Sequence, residues 1–271
     1  MARARRRFGQ HFLTNPRILD RIADALGAGP GDRVLEIGPG QGALTRSLLA
    51  RGAEVTAIEI DRDLVPALRA RFPAVHLVEG DALELDWHQL MGAASRGSWM
   101  VTGNIPYNIT SPLLDLALLP PRPERVVFLV QREVAERVTA RPGTGEYGAL
   151  TVGIQAVAEA ERLFIVPAGA FTPAPQVDSA VIRLTPHSSP LVRDPEIGSF
   201  RKLVTGLFGF RRKQLGRGLR ELTGWTAEQV ADLVTRLGLD PTWRPEVLTP
   251  SQFVHLHRGL VDGGWGAPLG L

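Results

Sequence analysis

Asn104-Ile-Pro-Tyr107 carries the residue types that chemistry on an aromatic amine needs. The exocyclic nitrogen of adenine is a poor nucleophile, because its lone pair is delocalised into the ring. Acceptors for its hydrogens let that nitrogen move towards tetrahedral geometry and aim the lone pair at a methyl group. The Asn104 side-chain oxygen is one candidate acceptor and the Ile105 carbonyl another. Pro106 fixes the turn without adding a competing N–H. Tyr107, one of only two tyrosines, offers a face on which the base can stack. Transfer of a methyl group from a sulfonium is an in-line displacement that positioning and electrostatics can carry without a general base. An amine inside a base must come from a single strand or a flipped nucleotide, gripped on both faces. Phe171, in Phe171-Thr-Pro-Ala-Pro175, is the candidate second face, on a loop stiffened by two prolines. The competing reading makes Phe171 a core residue at a strand end, and spacing alone favours it.

Upstream, Glu36-Ile-Gly-Pro-Gly-Gln-Gly42 falls where an apolar run turns into an amphipathic one. Glycines there let the backbone pass close beneath a ligand. Gly38, Gly40 and Ala43 match a dinucleotide fingerprint loosely, and Glu59 stands about where that fold needs a ribose-binding acid. Glu36 decides against a dinucleotide, because a carboxylate at that place would face pyrophosphate. S-adenosylmethionine carries no phosphate, and its sulfonium and ammonium attract a carboxylate. Glu59 could then accept both ribose hydroxyls. Asp81, in Gly80-Asp-Ala-Leu83, could accept from the adenine amine, with Ile60 and Ala82 against the ring faces. Asp61 and Asp63 read as helix caps.

The elements that must position these residues follow from periodicity. Asn15-Pro16 opens a helix whose Ile18, Leu19, Ile22, Ala23 and Leu26 share a face. Strands are expected at 34–37, 55–60, 75–79, 99–102 and 126–130, with helices at 43–51, 64–71 and 111–119. That alternation predicts an α/β fold with a doubly wound, mostly parallel, Rossmann-like sheet and ligands at the carboxyl ends of its strands. Two later strands, 162–166 and 177–184, suit an antiparallel pair at the sheet edge. Thr185-Pro-His-Ser-Ser-Pro190 reads as a linker. A first domain is therefore expected over 1–187 and a small all-α domain over 188–271. In the latter, Thr226-Ala-Glu-Gln229 and Thr249-Pro-Ser-Gln252 are capping boxes, and a basic helix is expected near 211–222.

The chain has 271 residues, 44% hydrophobic and 22% charged, as a folded α/β protein should. It has no cysteine, which excludes disulfides, thiolate zinc sites and a cysteine nucleophile. No metal is expected. No apolar run approaches the roughly 18 residues of a membrane span, and the basic N-terminus does not read as a secretory signal. A cytoplasmic monomer is the expectation. The net charge is only +3, but the cations are gathered. Arg3, Arg5, Arg6 and Arg7 form one cluster. Arg201, Lys202, Arg211, Arg212, Lys213, Arg217 and Arg220 form another, with no acid among them. Two such clusters flanking a catalytic core point to phosphate contacts.

Taken together, these motifs resemble the ribosomal RNA adenine dimethyltransferase family through nearly the whole chain. The resemblance is carried by Phe8-Gly-Gln-His-Phe-Leu13, Glu36–Thr45, Gly80-Asp-Ala82, Asn104–Ile109, Phe171–Val181, Phe210-Arg-Arg-Lys213 and Arg244–Leu248. It implies two successive methylations, from S-adenosylmethionine, on each of two adjacent adenosines. Their place would be a hairpin loop near the 3′ end of 16S rRNA in a pre-30S particle. It places Leu13, Gly38, Glu59, Asp81 and Asn104 at the cofactor, and Tyr107 and Phe171 at the target base. Where the family reads Gln-Asn-Phe-Leu, with the asparagine against the cofactor, this chain has His11. An imidazole there can donate or accept one hydrogen bond, and its charge can change in the physiological range. Erm-type enzymes of large-subunit RNA share the glycine loop and Asn-x-Pro-Tyr. Phe210-Arg-Arg-Lys213 and Arg244-Pro-Glu246 favour the small-subunit type. An RNA-binding assembly factor is the alternative of a different class. A DNA enzyme is disfavoured, since nothing resembles a sequence-reading domain.

Overall fold

The computed structural model describes residues 11–92 and 99–266. The Arg3–Arg7 cluster and the start of the Phe8–Leu13 motif lie outside the described residues. After a two-residue strand, β1 (Phe12–Leu13), Asn15 starts α1 (Pro16–Leu26). Its side chain accepts from Arg17 N at 3.1 Å and Ile18 N at 3.4 Å, satisfying two donors that a helix start leaves open. Leu19, Ile22, Ala23 and Leu26 form the buried face of α1.

The chain then alternates as its apolar runs dictate. In order come β2 (Arg33–Ile37), α2 (Ala43–Leu49), β3 (Glu54–Glu59), α3 (Val65–Arg71), β4 (His76–Glu79), α4 (Trp87–Met91) and β5 (Met100–Asn104). They continue with α5 (Thr110–Ala117), β6 (Arg125–Gln131), α6 (Arg132–Val138), α7 (Ala149–Gln155), β7 (Ala158–Val166), β8 (Phe171–Thr172) and β9 (Ser179–Pro186). Seven strands form one sheet in the order β4-β3-β2-β5-β6-β9-β7. From β4 to β6 every neighbour is parallel, and β9 runs antiparallel to β6. The middle strands are buried almost throughout, so they appear in the sequence as unbroken apolar runs. A separate ribbon pairs β1 with β8, Leu13 opposite Phe171.

The expected edge strands are present, although β9 inserts between β6 and β7. Asp61 and Asp63 are not helix caps. Asp61 accepts from Asp63 N at 3.2 Å in a local turn, and α3 begins two residues later without a side-chain cap.

The chain divides into two compact units, residues 1–136 with 159–186, and residues 137–158 with 187–271. The break at 186/187 falls where the linker was expected, but 137–158 belongs to the helical unit rather than to the first domain. Tyr147 shows why. It is fully buried, meets Phe208 edge-on, and donates from its hydroxyl to Leu248 O at 2.8 Å. At seven residues α7 is too short for a helical period to declare itself.

The rest of that unit is α8 (Ile197–Gly209), α9 (Leu215–Thr223), α10 (Ala227–Arg236) and α11 (Pro250–Asp262). Both expected capping boxes form, at Thr226/Gln229 and Thr249/Gln252. The basic helix starts later than expected, so Arg211 and Arg212 lie in the turn before α9.

Candidate active site

Where the strand order reverses, between β2 and β5, the crossovers leave on opposite sides and the carboxyl ends of the strands open into a crevice. A cleft of about 670 Å³ lies there, within the range of a small-molecule site, and it is built wholly from the first unit.

Glu36, near the end of β2, is 1% exposed and accepts from the Thr45 hydroxyl at 2.7 Å. Burial outweighs that bond and, with the Glu59 charge adding, raises its pKa from 4.5 to about 7. Past it the chain turns through Gly38 at φ +66°, where an added Cβ would meet nothing within 4 Å. At Gly42 an added Cβ would lie 2.2 Å from the Phe72 ring, so only glycine lets α2 start there.

Glu59 ends β3. One of its oxygens accepts from Gly40 N at 3.0 Å and the other from Asp61 N at 2.8 Å. Burial pushes its pKa up, and these backbone bonds oppose the shift. Each oxygen keeps a further lone pair. Ile60 is exposed on the cleft wall. Asp81 also lines it, with one oxygen taken by Leu83 N at 2.9 Å. Ala82 does not line the cleft. It is buried, with its carbonyl accepting from the Trp87 indole at 2.8 Å.

Asn104 ends β5. Its Nδ2 donates to the His11 carbonyl at 2.8 Å, which leaves Oδ1 as its acceptor atom. Ile105 N donates to Leu129 O on β6, anchoring the turn that follows. Tyr107 begins a one-turn 3-10 helix and shares a 3.0 Å hydrogen bond with the Ser179 hydroxyl. Burial raises its pKa, so it remains a neutral phenol.

His11 stacks on Tyr107, with ring centroids 5.8 Å apart and planes at 23°. Its Nδ1 donates to Pro173 O at 2.8 Å. Leu13, at 5% exposure, forms part of the wall.

Phe171 is not brought to this cleft. It pairs with Leu13 in the β1–β8 ribbon and packs into the core at 4% exposure. The ring lying against Tyr107 is that of His11. The spacing argument that made Phe171 a core residue describes it correctly. Thr45, Ser179 and Pro173 were missed. Ser179 and Pro173 act on residues 72 and 162 positions away, and a lone hydroxyl or carbonyl carries no local signal.

The cleft suits a cationic methyl donor. Among the described residues Glu36 accepts from the Thr45 hydroxyl and pairs with no cation, so a sulfonium or ammonium nearby would relieve its desolvation. When bound, S-adenosylmethionine supplies an activated methyl group. Buried carboxyl groups near the ends of β2 and β3, on this sheet, fit an S-adenosylmethionine-dependent methyltransferase.

Comparison with known proteins narrows the class. Residues 1–244 match the family described as Ribosomal RNA adenine dimethylase, and the chain belongs to that family of rRNA adenine dimethyltransferases. Ribosomal RNA small subunit methyltransferase A of Thermosynechococcus vestitus is 46% identical, across 96% of this chain and 98% of its own. The protein of the same name from Geobacter metallireducens is 41% identical across 97% of each. Among solved structures, a dimethyladenosine transferase from Plasmodium falciparum superposes with a TM-score of 0.82 at 26% identity, covering 94% of this chain and 99% of that one. The 23S rRNA methyltransferase ErmE gives 0.70 at 29% identity, over 92% and 99%. No helix among the described residues is long and apolar enough to cross a membrane.

Proposed function

We propose that this enzyme dimethylates two adjacent adenosines in the 3′-terminal hairpin of 16S rRNA, acting as a cytoplasmic monomer on a pre-30S particle. The observation that carries the chemistry is the Asn104 amide. Its Nδ2 is committed to the His11 carbonyl, so Oδ1 is fixed as an acceptor beside Tyr107 on the cleft. An adenine stacked on Tyr107 would give its amine hydrogens to Asn104 Oδ1 and the Ile105 carbonyl, and its lone pair would then point at the donor. Ser179 holds the Tyr107 hydroxyl and so sets the ring's tilt.

Glu36, Gly38, Gly40, Glu59, Ile60, Asp81 and Leu13 would hold S-adenosylmethionine. Glu36 would face its cationic end and the free lone pairs of Glu59 its ribose. His11 joins the two halves of the site. Its carbonyl orients Asn104, and its ring, tethered to Pro173, takes the position against Tyr107 that Phe171 does not fill. The exposed arginines of 201–220 and those of the N-terminal cluster would contact RNA phosphates. Assignment to the small subunit is supported by the names of the relatives and by their coverage of the chain.

Methyl transfer from labelled donor to undermethylated small and large subunits in parallel, with nucleoside mass analysis, tests this. Dimethyladenosine is expected on the small subunit only. Asn104→Ala should slow transfer by about 100-fold or more, the usual cost of deleting a donor or acceptor that serves the transition state. Label on the large subunit instead would overturn the assignment, and an undiminished rate in Asn104→Ala would remove that residue from the chemistry.

A further inference from the structure

In the helical unit, three stretches far apart in sequence are fastened together. Arg211 donates from Nε to Glu246 at 2.6 Å and from Nη2 to Gly145 O at 2.7 Å. Gly143 N donates to Glu246 O at 2.8 Å, and Leu215 N to Trp243 O at 2.6 Å. Residues 211–215 are thereby pinned along 243–246, with the 143–145 loop beside them. The turn carrying Trp243 is closed as well. Its N–H donates to Asp240 O at 3.1 Å, and Asp240 accepts from Thr242 N and Oγ1 at 2.8 and 2.6 Å.

Yet Trp243 on this anchored turn is 38% exposed, whereas Trp87 and Trp99 are each 2% exposed in the other unit. A large apolar side chain that stays partly exposed on a well-anchored backbone leaves apolar surface available to a partner.

The neighbours indicate the occupant. Arg141, Arg212 and Arg244 are exposed on the same three stretches, and none is paired with another side chain among the described residues. Arg211 is neutralised by Glu246 and serves as a structural clamp. Glu146 is the exposed acid of the loop. A partly exposed tryptophan on stretches that also carry uncommitted guanidinium groups fits a nucleic acid strand, which offers a base to stack and phosphates to pair with arginine.

We propose that Trp243 is a stacking platform for an unpaired RNA base, flanked by Arg212 and Arg244, and separate from the site that takes the target adenine. This rests on the reading of the helical unit's arginines as RNA-contacting.

Binding of protein-free 16S rRNA to the full chain at fixed salt, followed by tryptophan fluorescence, provides the test. Subtracting the response of Trp243→Phe isolates the Trp243 signal, which RNA should quench. Trp243→Ala and Trp243→Leu should each weaken binding at least about fivefold, the lower end for loss of one stacked base. Trp243→Phe should stay within about threefold of wild type. In methyl transfer, the alanine variant should raise KM for RNA and leave kcat unchanged.

Equal affinity of all four proteins with no quenching would overturn the platform. So would restoration by Leu as well as by Phe, since bulk rather than a ring face would then suffice. Quenching by assembled small subunits, with protein-free RNA bound but leaving the Trp243 signal unchanged, would overturn it in favour of a ribosomal protein contact. Failure of the underlying reading is separately visible, because Arg212→Ala and Arg244→Ala would then leave RNA affinity unchanged.

Discussion

At the mouth of the parallel sheet, two carboxyl groups are buried. Glu36 and Glu59 are 1% and 3% exposed, and their hydrogen bonds come from a hydroxyl and from backbone N–H groups. In the helical unit, several guanidinium groups are exposed instead. Arg212, Arg217, Arg220 and Arg244 all stand in solvent. The first arrangement costs folding energy and gives geometry, because a desolvated group keeps its orientation. The second costs little and gives reach, because a hydrated arginine can follow a phosphate wherever it lies. A reaction centre needs the former and a long polyanionic partner tolerates the latter.

Three experiments probe that contrast. Glu59→Ala removes the group expected to take both ribose hydroxyls. Charged hydrogen bonds contribute about 1.5–3 kcal/mol each, so donor affinity in calorimetry should fall about 100-fold or more. RNA affinity should be unchanged, and a matching loss in both would mean that the two regions are not independent.

Glu36→Gln tests the folding cost of the buried acid in the donor-free protein. The glutamate ionises at 4.5 when unfolded and about 7 when folded. Between those values the folded state holds a proton that the unfolded state has lost. Stability therefore falls as pH rises through that window and is flat above about pH 7, a loss of up to about 3 kcal/mol. Denaturation at pH 5 and pH 8 should show this fall in wild type and not in Glu36→Gln. The variant should be the more stable at pH 8 and bind the donor worse. Parallel pH profiles would contradict the assignment of this cost to Glu36.

The smallest effect is expected in the helical unit. Arg244→Ala should weaken RNA binding a few-fold and reduce the slope of log K against log salt by about one, with donor binding indifferent to salt. An unchanged slope would remove Arg244 from the phosphate contacts.

Much of the cleft was legible in the sequence because its determinants are local. Gly38 and Gly42 need positive φ, Glu59 and Asn104 each stand on the last residue of a strand, and the central strands are continuous apolar runs. What escaped was fixed by partners distant in the chain. Phe171 goes to the core because β8 pairs with β1, some 158 residues earlier, as its register with Leu13 shows. Tyr147 draws 137–158 into the helical unit through Phe208 and Leu248. The basic window 201–220 contains no acid, yet Arg211 pairs with Glu246, and Lys213 and Arg217 pair with Glu221, just outside it. A count of charges along the chain cannot tell a structural arginine from a free one.

The atom that steadies Asn104 belongs to the peptide unit of residue 11 and not to its side chain. Every codon except a stop supplies that carbonyl. Position 11 can thus drift between asparagine, histidine and other residues without disarming the acceptor. The side chain is free to be selected for something else, here a ring against Tyr107. Side-chain substitution at residue 11 would therefore report on the ring and not on the carbonyl that orients Asn104.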